Sequence, residues 1–82
     1  MGCLTREFTE AIEVQKRALT LYRALKDRLG EANALRELGR IQYASDNHPE
    51  AIRLLDQALA RYRELDDQLG IANTLHELAV VC

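Results

Sequence analysis

The chain has 82 residues, 48% hydrophobic and 29% charged, with one Pro, four Gly, no Trp and a formal charge of −2 at pH 7. Its length allows one small domain near the limit at which a single core suffices, its wealth of Ala, Leu, Arg and Glu is that of an all-helical protein, and its small charge gives no reason to expect nucleic acid or an anionic membrane as a partner. No apolar run approaches the roughly 18 residues that span a bilayer, and the first residues lack the apolar stretch of a secretion signal, so a cytoplasmic location is the default expectation.

In chain order, Met1-Gly2-Cys3 has the outline of an acylation signal, but the pattern requires Ser or Thr where Arg6 stands. Cys3 and Cys82 lie at opposite ends, outside any metal-ligand spacing, and read as reduced thiols. From Phe8 to Leu25, the residues Phe8, Ala11, Ile12, Ala18, Leu19, Tyr22 and Leu25 recur at three-and-four spacing, which is one face of an α-helix. Glu13 and Arg17 on its outer side are spaced to pair. A break follows at Lys26-Asp27, where Asp27 is the expected N-cap and Gly30 is expected inside the next helix, allowing a neighbour to come close. The alternative makes Gly30 a C-terminal cap. Without a glycine at the break the first two helices could also fuse, which would permit a domain-swapped dimer.

The second helix carries Leu29, Ala32, Leu35, Leu38, Gly39 and Ile41. Asn47-His48-Pro49-Glu50 then reads as a helix start, with Asp46 in the turn, Asn47 as N-cap, Pro49 in the first turn and Glu50 closing a capping box. The third helix, with Ala51, Ile52, Leu55, Ala58, Leu59, Tyr62 and Leu65, copies the first. The fourth, with Leu69, Ala72, Leu75, Leu78, Ala79 and Val81, copies the second, behind Asp67 as N-cap and with Gly70 in the place of Gly30.

The copying is strict. Residues 10–42 and 50–82 align without a gap at a shift of 40, with 16 identities in 33 pairs, among them Tyr22 and Tyr62, Gly30 and Gly70, Asn33 and Asn73, and Glu37 and Glu77. A period of this length marks a solenoid, whose units bury their apolar faces only against neighbouring copies.

Leu35-x-x-Leu38-Gly39, Ala51-Ile52, Leu55 and Ala58-Leu59, together with Asp27-Arg28-Leu29-Gly30-Glu31-Ala32 at the head of the inner helix, resemble the tetratricopeptide repeat in its 40-residue variety. That variety occurs in cell-polarity adaptors of the Pins type and in the sensor arms of bacterial regulators that carry a switch ATPase. The resemblance covers essentially the whole chain and implies an all-α superhelix, a right-handed solenoid of antiparallel helix pairs. Leu35, Gln42, Asp46, His48 and Arg63 depart from the usual residues of the motif, making the turn into the third helix more polar and the expected packing looser.

In phase, the resemblance places a half-unit at about 7–26, one full helix pair at about 28–65 and a second half-unit at about 68–81. No polar capping helix follows Leu78-Ala79-Val80-Val81-Cys82. The expectation is therefore either a piece of a longer array or self-association through exposed end faces.

In the family the inner helices line a groove that binds peptides. The matching residues here are Asn33, Arg36, Arg40 and Tyr43, then Asn73, His76 and Val80. Positions 33, 36 and 40 share a helical stripe apart from the apolar one. Arg36 and Arg40, like charges four apart, would welcome a partner's carboxylate; the plainer alternative is a solvated face screened by Glu37 and nearby acids. Asn33 and Asn73 read equally as a peptide-binding amide ladder or as bonds to a neighbouring helix that set the stagger between units.

His48 and His76 are isolated, and no phosphate-binding loop, nucleophile arrangement or set of metal ligands appears. Neither catalysis nor a cofactor is expected. Two functions remain: a module that binds a peptide or acidic tail in its groove, or a structural, self-associating fragment of a larger bacterial regulator's sensor arm.

Overall fold

The apolar spacing resolves into four α-helices in the computed structural model, which describes residues 6–81: α1 (Arg6–Ala24), α2 (Arg28–Ala44), α3 (His48–Leu65) and α4 (Gln68–Val81). No strand occurs among the described residues, as the all-α reading expects. Cys3, Cys82 and the Met1-Gly2-Cys3 start lie outside them. Each helix packs on the one before it and the one after it, and α2 also touches α4 lightly.

All three turns have one design. Lys26, Asp46 and Asp66 take left-handed backbone conformations, with φ of 59°, 71° and 56°. The following residue then donates its backbone N–H five residues back: Asp27 to Tyr22, Asn47 to Gln42, and Asp67 to Tyr62. These bonds satisfy carbonyls that the helix ends leave open, so α1 and α2 break cleanly and do not fuse. Asp27 and Asp67 cap the next helices as expected, their carboxylates accepting from the N–H of Gly30 at 3.0 Å and of Gly70 at 3.2 Å.

The third helix starts differently from its sequence reading. Asn47 occupies the N-cap position but makes no side-chain cap, and its amide instead donates to Gln42 Oε1 at 3.3 Å. Glu50 closes no capping box; Arg53, three residues on, binds its carboxylate with two guanidinium nitrogens. A bidentate, charge-assisted partner outcompetes a single backbone N–H. The Glu13–Arg17 pair does not form among the described residues either.

The glycines explain how closely the layers approach. A Cβ on Gly30 would stand 2.4 Å from the ring of Tyr22, and a Cβ on Gly70 2.2 Å from the ring of Tyr62. Each of these two rings thus lies against the backbone of the following helix, and the sequence keeps both partners of the pair at the 40-residue shift. Leu35, Leu38, Leu54, Leu55, Ala58 and Tyr62 form the buried middle, between α2 and α3.

An ordinary glycine-to-alanine change within a helix gains about 1 kcal/mol. Here Gly70→Ala should instead cost about 1–3 kcal/mol, because the added methyl overlaps a ring that has nowhere to go. Urea denaturation followed by circular dichroism reads the sign directly. Lys26→Gly should act in the opposite sense, stabilising by about 1 kcal/mol through relief of the left-handed penalty.

Candidate functional site

An open cleft of about 570 Å³ runs between the start of α1 and the C-terminal halves of α2 and α4. Its apolar surface comes from Phe8, Ile41, Ala44, Leu55, Val80 and Val81, and its polar rim from Glu37, Arg40, Tyr43, His76 and Glu77. The geometry follows from the antiparallel pairing. Phe8 begins α1 beside the end of α2, and the 40-residue repeat sets α4 alongside α2 in the same direction.

The residues expected to line a groove divide into two groups. Arg40, Tyr43, His76 and Val80 lie on the cleft, while Asn33, Arg36 and Asn73 lie outside it. Tyr43 is braced by the imidazole of His48, stacked at 4.9 Å between ring centroids, so the polar turn residue that departs from the family pattern supports the rim. Asn33 accepts a hydrogen bond from the Tyr62 hydroxyl, and Arg36 Nε reaches the same oxygen at 3.4 Å. The helix-bonding reading therefore describes Asn33. Its copy Asn73 is exposed, with no side-chain partner among the described residues.

Arg36 and Arg40 do not wait for an outside carboxylate. Glu77 Oε2 takes Arg36 Nη1 at 3.6 Å and Arg40 Nε at 3.3 Å, and Glu37 takes Arg40 Nη1 at 3.2 Å. Arg40 remains 54% exposed, whereas the Arg36 side chain is 21% exposed and held on both sides. Glu77 had a signal in the sequence, because Glu37 and Glu77 are identical across the shift at a position that fills no core. The apolar walls had none of that kind, since Phe8, Ile41, Leu55 and Val81 fit the pattern of core residues equally well.

Glu77 is only 20% exposed, and its second oxygen, Oε1, is buried without a hydrogen-bond partner among the described residues. Burial pushes its carboxyl above the usual carboxylate range, against the pull of Arg36 and Arg40. A second, smaller cleft lies at the α1–α2 turn among Arg23, Lys26, Arg28 and Arg61. Its charge is answered from inside: Glu31 takes Arg23 at 3.1 Å and Arg61 at 3.5 Å, and Glu64 takes Arg61 at 2.7 Å. No cluster of His, Cys, Asp and Glu among the described residues could hold a metal ion, and no described helix is long and apolar enough to cross a membrane.

A family model described as Tetratricopeptide repeat matches residues 3–64. No curated protein and no solved structure matches the chain.

The state of Glu77 predicts a pH dependence. The folded chain holds this proton more tightly than the unfolded chain, so its contribution to stability is greatest below the ordinary carboxylate value and is lost as pH rises through the raised one. Glu77→Gln removes that slope. From about pH 4 to about pH 7, a span that brackets carboxylate titration, the variant should gain stability relative to the natural chain in urea melts. A difference that stays constant, or runs the other way, would contradict the assignment.

Proposed function

Because the chain belongs to the tetratricopeptide repeat family, whose domains generally serve as non-catalytic protein–protein interaction modules, we propose that its cleft binds a short segment of a partner protein, with an apolar side chain of that segment filling the space between α2 and α4. The observation that carries this reading is the cleft itself: apolar walls of Phe8, Ile41, Ala44, Val80 and Val81 under a charged rim. A single deep apolar contact framed by a few polar groups is how such sites combine affinity with orientation.

The rim sets a modest preference for acidic segments. Arg40 is the accessible cation, and a carboxylate on the partner would share it with Glu37 and Glu77. His76 stands beside it on α4. Arg36 contributes indirectly, by holding Glu77 and the Tyr62 hydroxyl, rather than by reaching the partner. A cleft formed by two inner helices contacts only a few residues of peptide, so one site gives limited affinity and several in line would give much more.

Selection of a displayed library of short random peptides on the chain tests the reading, with binding measured by fluorescence anisotropy. Enriched peptides should share an apolar anchor, and Val80→Glu should weaken them about tenfold, the equivalent of one valine-sized apolar contact. Arg40→Glu should weaken acidic peptides and leave neutral ones little changed. Peptides that bind Val80→Glu as well as the natural chain would place the site elsewhere.

A further inference from the structure

The two copies of the repeat share many of their residues and are unequal in cover. In α2, Ala32, Leu35 and Gly39 are buried; their copies in α4, Ala72, Leu75 and Ala79, are exposed, Leu75 by 45%. The same holds on the other side. Ala51, Leu54, Leu55, Ala58 and Tyr62 of α3 are buried, whereas their copies in α1 are partly or largely open, Val14 by 60%. The reason is positional: α2 lies between α1 and α3, and α3 between α2 and α4, while among the described residues α1 packs on α2 alone and α4 on α3 with only a light touch on α2. The face that α2 presents to α3 is thus uncovered on α4, and the face that α3 presents to α2 is uncovered on α1.

We propose that copies of this chain stack head to tail, the open face of α4 in one copy taking the open face of α1 in the next, in the arrangement that α2 and α3 already have within the chain. The polar groups match as well as the apolar ones. Inside the chain the Tyr62 hydroxyl donates to Asn33. The repeats of these two groups, the Tyr22 hydroxyl and the Asn73 side chain, have no partner among the described residues, and stacking brings them together. Ala11, Ala18 and Tyr22 repeat Ala51, Ala58 and Tyr62 on one side of the contact, and Ala72, Asn73 and Leu75 repeat Ala32, Asn33 and Leu35 on the other.

The departures set its strength without closing it. Within the chain Leu55 fills the place left by Gly39, where a Cβ would stand 2.8 Å from Leu55 Cγ. Between copies the pair is Gln15 and Ala79, and the unbranched glutamine can turn aside from the alanine methyl. Glu77 binds Arg36 and Arg40 inside the chain, but its copy Glu37 would face His76 and Val80, so the stacking contact loses those ion pairs. Being weaker and not covalently joined, it is concentration-dependent. Because the two faces differ, it is also heterologous and builds open rows unless the rotation closes a ring.

Sedimentation velocity across a dilution series tests this, using Leu75→Glu on the α4 face and Val14→Glu on the α1 face, both at exposed positions outside the cleft. The natural chain should grow with concentration, each variant alone should stay monomeric, and an equimolar mixture should form a one-to-one dimer that grows no further, through the one unaltered face of each. A natural chain that is monomeric throughout, a Val14→Glu chain that still self-associates, or a mixture that stays monomeric would each overturn the proposal. Tyr22→Phe keeps the ring on Gly30 and removes only the hydroxyl; it should weaken association by about twofold to tenfold, the worth of one hydrogen bond. Unchanged association of Tyr22→Phe would overturn the register.

Discussion

Tyr62 is the contact on which the rest of the structure depends. Its ring lies on the backbone of α4 at Gly70, its hydroxyl donates to Asn33 of α2, and Arg36 of α2 adds a second bond to the same oxygen. One side chain in α3 therefore fixes the distance to the next helix and the stagger against the previous one. A tyrosine can do this because it combines a large flat apolar surface with one polar atom at its tip, and a glycine opposite lets the surface reach the backbone. The ring-on-glycine contact recurs at Tyr22 and Gly30, which is why a chain of four helices has the regularity of an array.

Two half-buried carboxylates add the electrostatic layer. Glu31, 13% exposed, joins Arg23 at the end of α1 to Arg61 near the end of α3, and Glu77 joins Arg36 and Arg40 of α2 to α4. Each lies where consecutive units meet, so these charges hold helices together as well as making the surface polar. The consequence for function is that Arg36 and Arg40 are spent mainly within the molecule. On the proposed function, the cleft would offer a partner first its apolar wall and only then the exposed part of Arg40.

Much of this was open to sequence reasoning, for reasons specific to the residues. Helix spacing, the Asp27 and Asp67 caps, the place of Gly30 and Gly70 within helices and the turn conformation of Asp46 all depend on neighbours a few positions away, and such local chemistry is written in the order of residues. At the start of α3 Asn47 holds the N-cap position and Pro49 the first turn as expected, but the side-chain cap and the capping box do not form, because the Asn47 amide binds Gln42 and the Glu50 carboxylate binds Arg53, and a cap motif does not reveal which bond is stronger. The groove stripe was only half read. The seven residues of the expected groove stripe divide between the cleft, with Arg40, Tyr43, His76 and Val80, and the surface beyond it, with Asn33, Arg36 and Asn73, because a stripe on one helix takes no account of where the next helix crosses it.

By itself the sequence determined the repeat: the period, the four helices, the breaks between them and the recurrence of Tyr22 and Gly30 as Tyr62 and Gly70. These are short-range or periodic properties, and two copies of them confirm each other. The tertiary structure alone decided which of two identical residues is buried and which is bare. Leu35 is buried and Leu75 exposed, Tyr62 is buried and Tyr22 only half-buried, and Asn33 has a tyrosine hydroxyl to bind where Asn73 has none among the described residues; these pairs are the same in sequence and differ in having, or lacking, a helix on the far side. Burial belongs to a residue's neighbours as much as to the residue, so the 40-residue echo could announce equivalent faces, and only packing could show which of them the fold leaves uncovered.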